Sequence, residues 1–171
     1  MANLLQEALA AYKGVRVIGL DPGETTGACV FDGPNLVDAR QLATGLMPQA
    51  AFEVWRYVHT WIYDGILRSC QEVVVIEDYR VYSWKTKDHA WAGLHTPRLI
   101  GAMEYICRYQ MAETPLIKQS AQNAKGFCTD QKLKEWGLWI EGQRHSRDAI
   151  RHACFYLLFQ VAKVQQLPGK K

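Results

Sequence analysis

The chain has 171 residues, 49% apolar and 22% charged, the composition of one soluble globular domain able to bury its own core. Its apolar runs are short and interrupted, so no bilayer span is expected, and the opening MANLLQEALAAYKG lacks the basic front and small-residue cleavage site of a leader. A formal net charge of +3 is too small to mark a nucleic-acid partner unless local clusters carry the case.

In chain order, residues 3–12 are expected to form a short amphipathic helix. Residues 15–20 form a buried strand, and 26–32 and 35–42 two more, joined by the turn formers of DGPN. Three strands with tight connections make an antiparallel meander. The spacing of Trp55, Val58, Ile62 and Ile66 predicts a helix over 48–68. The continuous apolar run of EVVVIED predicts a fully buried strand with a parallel neighbour. After a loop, Thr96 and Pro97 read as the cap and first position of a helix over 97–110. TPLIKQ is a short strand, and SAQNAKGF and TDQKLKEWG are short helices. Ser146 is expected to cap a last helix with Ile150, Ala153, Cys154, Leu157, Leu158 and Val161 as its core stripe. The whole of 1–171 reads as a single domain with its core over 14–165 and a frayed tail, QQLPGKK. The five cysteines, Cys29, Cys70, Cys107, Cys128 and Cys154, form no C-x-x-C pair; they read as reduced, largely buried thiols of a cytoplasmic protein.

A meander followed by βα units implies a mixed sheet with helices on its faces, and such sheets bind ligands beyond the carboxyl ends of adjacent strands. Asp21 ends the first strand and Glu77 the fourth. If those strands are neighbours, two carboxylates converge, and their repulsion calls for a shared proton or a divalent cation. Asp148, expected in the first turn of the last helix with His145 three residues earlier, could join them. Asp78 is the rival of Glu77, since alternation sends the two to opposite faces of the sheet. Each residue also has an ordinary reading: Asp21 as a turn residue, Glu77 as a strand end, Asp148 as a helix-dipole partner and His145 as an exposed loop histidine.

The stretches IGLDPGETTG, VVVIED and HSRDA together resemble the RuvC-type Holliday junction resolvases, compact members of the RNase H-like nuclease superfamily. The resemblance spans roughly residues 14 to 160, as a single domain of this size allows. It implies an α/β, RNase H-like mixed five-stranded sheet, a three-strand antiparallel meander plus parallel strands, flanked by helices. It also implies a crossover junction endonuclease that resolves four-way junctions by paired nicks, with Asp21, Glu77, His145 and Asp148 as catalytic and metal-binding residues. The cofactor it implies is Mg²⁺ or Mn²⁺, two ions per site, for phosphodiester hydrolysis. Some relatives have Asp at the position of His145, so direct ligation by His145 is left open.

Branched DNA is the partner this implies. The loop YRVYSWKTKDHAW interleaves Tyr79, Tyr82 and Trp84, candidates for stacking on an unpaired base, with Arg80, Lys85 and Lys87 for phosphates. Lys118 and Lys125 form a second basic stretch. Arg144, Arg147 and Arg151 crowd the last helix, to meet phosphate or to offset the nearby acids. A homodimer with twofold symmetry would match a four-way junction, with Leu99, Ile100, Gly101, Ala102 and Met103 as the candidate interface, or else as a core-facing stripe. Three alternatives stay open: a nuclease for flaps or other branched DNA, a junction-binding module without catalysis, and the phosphate-binding turn of actin-like ATPases, which DPGETTG also fits.

Overall fold

Strand β1 (Val15–Asp21) is buried at every position. Such a strand belongs in the middle of a sheet, with helices on both faces. The computed structural model describes residues 14–43, 48–68, 70–79, 94–111 and 114–159, and β1 is the central strand of its sheet. On one side β1 pairs antiparallel with β2 (Thr25–Asp32), which pairs antiparallel with β3 (Asn35–Ala43). On the other it pairs parallel with β4 (Gln71–Asp78), and β4 parallel with β5 (Leu116–Ser120). The order β3-β2-β1-β4-β5 is a mixed five-stranded sheet of the expected kind.

The period of two along each strand divides the core. Ile18, Leu20, Ala28, Val30, Val74 and Ile76 face helices α1 (Gln49–Leu67) and α2 (His95–Tyr109). Val15, Val17, Cys29, Phe31, Val73 and Val75 face the other way, toward α3 (Ala121–Phe127), α4 (Asp130–Glu135) and above all α5 (Arg144–Phe159). Besides Asp21 at its end, β1 carries one further charged residue, Arg16. It is fully buried, bonded to both carboxylate oxygens of Asp32 at 2.6 and 2.7 Å, to Asp64 at 2.6 Å and to the Trp61 carbonyl at 2.9 Å. Asp32 is its cross-strand partner, so the charge is neutralised within the sheet and by α1.

Two glycines set how close α5 comes. A Cβ on Gly19 would lie 2.6 Å from the Ala149 carbonyl oxygen, and one on Gly27 would lie 1.9 Å from the carbonyl oxygen of His145. Only a strand without side chains there lets the amino end of α5 rest on β1 and β2.

Several expectations need correcting. Helix α5 begins at Arg144, so Ser146 lies inside it, fully buried, with its hydroxyl donating to Gln143 Oε1 at 3.0 Å. The Arg147 N–H bonds to the Gln143 carbonyl, and the His145 N–H is satisfied by Gln41 Oε1 at 3.1 Å, a cap supplied by β3. Asp148 therefore falls in the second turn, beyond the reach of the helix dipole. Helix α2 likewise starts at His95 with Leu94 as its cap, which puts Thr96 and Pro97 inside the first turn, where a missing N–H costs nothing. In α1 the core stripe is Ala50, Val54, Tyr57, Val58 and Ile62; Ile66 is exposed, and Gly65 takes the inner place against Glu72. The apolar stripe of α2, Leu99, Ile100 and Met103, packs into the chain's own core and is not free for an interface. Helix 3–12, the loop residues Arg80, Tyr82, Trp84, Lys85 and Lys87, Val161 and the tail lie outside the described residues. Cys29, Cys107, Cys128 and Cys154 are buried and unpaired, and Cys70 is partly exposed. Among the described residues no helix is long and apolar enough to cross a membrane.

Candidate active site

One row of residues crosses the whole sheet at the carboxyl ends of its parallel strands. Gln41 on β3 is the partner of Gly27 on β2, Gly27 of Asp21 on β1, and Glu77 on β4 of Gln119 on β5. Leu20 pairs with Ile76, so Asp21 and Glu77 sit one step further along the same parallel pair. All share the face with Val17 and Val75, under α5. The same alternation turns Asp78 to the opposite face, with Val74 and Ile76.

Helix α5 meets this row with residues three and seven positions apart, which is one helical face. His145 Nδ1 lies 2.8 Å from Asp21 Oδ2. His152 Nε2 lies 3.0 Å from Glu77 Oε2, and its Nδ1 lies 3.1 Å from Gln119 Oε1. Asp148, between them, is bonded to Arg151, which also reaches Asp130 and donates to the Cys128 carbonyl. Lys125, from α3, spans two acids: its Nζ is 3.1 Å from Glu77 Oε2 and 3.1 Å from Asp148 Oδ2. Lys125 thus bridges Glu77 and Asp148, while Asp21 is held by His145.

The electrostatics follow from burial. Asp21 and Asp148 are only 7% and 5% exposed. Burial first, and then the Glu77 charge, push the Asp21 carboxyl up to about 7, against the His145 bond and the Lys125 charge. Burial also opposes ionisation of Glu77, but the His152 hydrogen bond and Lys125 outweigh it and hold that carboxyl down at about 2. Burial works against the Lys125 ammonium, and Glu77, Asp148 and Asp21 outweigh it and raise its pKa. Among the described residues no three acidic, histidine or cysteine side chains stand as a ready-made metal cage. Lys125 and Arg151 occupy Glu77 and Asp148 instead, and His145 occupies Asp21.

No protein-family model matches the chain, and no curated protein matches it by sequence. Solved structures do match. T. thermophilus RuvC in complex with Holliday junction substrate aligns with a TM-score of 0.58 over 88% of this chain and 96% of that one, at 18% identity. This chain has the RNase H-like fold of RuvC. The yeast mitochondrial Holliday junction resolvase Ydc2 aligns with a TM-score of 0.54 over 96% of this chain and 87% of its own, at 13% identity.

Set on this RuvC-type fold, the residues singled out from the sequence separate into groups. Asp21, Glu77, His145, Asp148 and Lys125 come together. Arg144 and Arg147 line an adjoining cleft of about 450 Å³ with Lys125, Asp148 and Arg151. Arg147 is itself held by the Ile140 carbonyl at 2.6 Å and lies over the Trp139 ring at 4.1 Å. Lys118 does not reach the acids: it points to the α2 face of the sheet and pairs with Glu104 at 2.7 Å. Tyr79 packs against the core on that same face. His152 and Gln119 escaped the sequence reading. The 145, 148, 152 spacing was the available signal for His152, and strand pairing with Glu77 the only one for Gln119.

Proposed function

We propose that this chain is a divalent-metal-dependent endonuclease that resolves four-way DNA junctions by paired nicks. The observation that supports this reading is the convergence of Asp21, Glu77 and Asp148 at the carboxyl ends of neighbouring strands, on a fold shared with two Holliday junction resolvases. Two buried carboxylates, Asp21 and Asp148, beside the half-buried Glu77 suit a hard dication, because each offers oxygen and their mutual repulsion is relieved by a double charge. Asp21, Glu77 and Asp148 would hold Mg²⁺ or Mn²⁺, with His145 beside Asp21 as a fourth candidate. The ions would supply a water ionised near neutral pH and a counter-charge for the leaving oxygen.

The chain's own groups have separate tasks. His145, bonded to Asp21 and 40% exposed, can hold or move a proton at Nδ1. Lys125 would have to give up Glu77 and Asp148 for those acids to hold a dication, and its ammonium lines the same cleft as Arg144 and Arg147, where a DNA phosphate can approach. Carboxylates and phosphates repel, so cations must stand between the acids and DNA. A twofold dimer would carry one such site to each of two opposed strands of a junction. The outer side of α2, with Tyr105 and Tyr109 exposed, is a candidate contact for it.

The deciding experiment compares synthetic four-way junctions, flaps and plain duplex as substrates with Mg²⁺, Mn²⁺ or chelator. Symmetric nicking of the junction, dependent on metal, is expected. Equal cleavage of all three substrates, or cleavage in chelator, would overturn the reading.

A further inference from the structure

His152 is fully buried on α5, yet both ring nitrogens have a side-chain partner. Those partners, Glu77 and Gln119, are register neighbours at the carboxyl ends of β4 and β5. Any buried histidine needs partners for its ring nitrogens; what distinguishes this one is that a partner is a carboxylate of the acidic cluster. A carboxylate only accepts, so Nε2 must carry a hydrogen toward Glu77. Gln119 serves in either ring state: its Oε1 accepts from an Nδ1–H, or its amide, turned over, donates to a bare Nδ1. With Nε2 committed as a donor, His152 has no lone pair there for a cation.

The contacts on Glu77 are also asymmetric. Both His152 and Lys125 meet Oε2, at 3.0 and 3.1 Å, and Oε1 shares neither bond. If a dication displaces Lys125, His152 is the contact that remains on the carboxylate. We propose, on the nuclease reading above, that His152 is a positioning residue: braced by Gln119, it holds Oε2 of Glu77 and so presents that carboxylate as an oriented ligand to the divalent cation. Partners of this type, behind the ligands of a metal, set affinity by fixing ligand orientation and basicity.

The test uses the full chain and Mn²⁺ alone, titrated by calorimetry without DNA, followed by single-turnover junction cleavage. His152→Phe removes the donor and keeps the bulk. It should weaken Mn²⁺ binding by about 10- to 100-fold, slow cleavage at saturating junction, and leave junction affinity in chelator unchanged. His152→Gln, whose amide N–H can replace Nε2–H, should recover most of the Mn²⁺ affinity. Wild-type Mn²⁺ affinity in a folded His152→Phe protein would overturn the positioning role. So would a His152→Gln protein as weak as His152→Phe, since that marks a direct ligand. If His152→Phe does not fold, Gln119→Leu decides: weakened Mn²⁺ binding supports the role, and unchanged binding refutes it. Asp21→Asn is the control for the parent reading. If wild type neither binds Mn²⁺ nor cleaves, the nuclease reading falls and this role with it. If Asp21→Asn loses both while His152→Phe keeps both, only the role of His152 falls.

Discussion

Replacing Gly27 with alanine tests the architecture of the site without touching any charged group. The new methyl would lie 1.9 Å from the carbonyl oxygen of His145, and real Cβ atoms essentially never come within 3.0 Å of a neighbour. The first turn of α5 must therefore retreat by about 1.1 Å, and the obstacle is backbone, which has no rotamer to turn aside. That retreat carries His145 away from Asp21, 2.8 Å distant, and lengthens the Gln41 cap. Overpacking of this kind costs about 1–3 kcal/mol, read as a melting temperature lower by roughly 2–4 °C per kcal/mol for a domain of this size. A displacement of about 1 Å at reacting groups costs on the order of 100-fold in rate. The assays are thermal unfolding and single-turnover junction cleavage. Gly101→Ala is the control: nothing lies within 4 Å of its added methyl, and in the middle of α2 it should stabilise by about 0.5–1 kcal/mol. A Gly27→Ala protein with wild-type stability and wild-type cleavage would refute the claim that this glycine sets the position of α5.

Asp21→Asn should abolish metal-dependent cleavage while junction binding survives, checked by nicking and gel-shift assays on one junction; unchanged cleavage would remove Asp21 from the site. Lys125→Met should tighten Mn²⁺ binding in calorimetry, because the ammonium competes for Glu77 and Asp148, and should weaken junction binding. Glu72 supplies a pH test away from the acids. Burial raises its pKa above 4.5, and its Oε1 is buried with no hydrogen-bond partner. A raised carboxyl penalises the charged fold above the folded pKa, and the penalty disappears as pH falls below the unfolded value. Glu72→Gln should therefore stabilise by about 1 kcal/mol near pH 8 and make no difference near pH 4, as followed by denaturant unfolding.

Much of the fold was legible because strand burial writes itself as composition. The Val- and Ile-rich stretch 15–20 and the apolar run 73–76 announced buried strands, and the short turn DGPN announced the meander. The sequence favours Glu77 over Asp78 because the apolar run leads straight into it. Alternation alone cannot choose, since Val73 and Val75 on one face and Val74 and Ile76 on the other are equally apolar, and only the structure shows that α5 covers the Glu77 face. Lys118 shows where that logic needs register. One residue from Gln119, it points to the other face, and only the pairing of Glu77 with Gln119 reveals which is which. The start of α5 was not legible, because its cap is Gln41, separated from His145 by 104 positions. Ser146 satisfied every local rule for a cap and is overruled by a distant amide. The demands at Gly19 and Gly27 are equally long-range. Their reason is a helix that arrives more than a hundred residues later.

The arrangement under α5 explains why three acids can gather at the carboxyl ends of the inner strands at all. Each carboxylate taken out of water needs a compensating cation or donor, or it will protonate instead. Glu77 and Asp148 have theirs, from His152, Lys125 and Arg151. Asp21 has only the hydrogen bond of His145 and the more distant pull of Lys125, and it is the carboxyl pushed up to about 7. The imbalance falls on the residue at the middle strand, flanked by both other acids. A dication placed there would relieve Asp21 most, since it would replace repulsion from Glu77 and Asp148 with attraction shared by all three. The same reasoning makes Lys125 the exchangeable partner. Arg151 is anchored by Asp130 and the Cys128 carbonyl, and His152 by Gln119, whereas Lys125 is held by the two acids themselves and is 37% exposed.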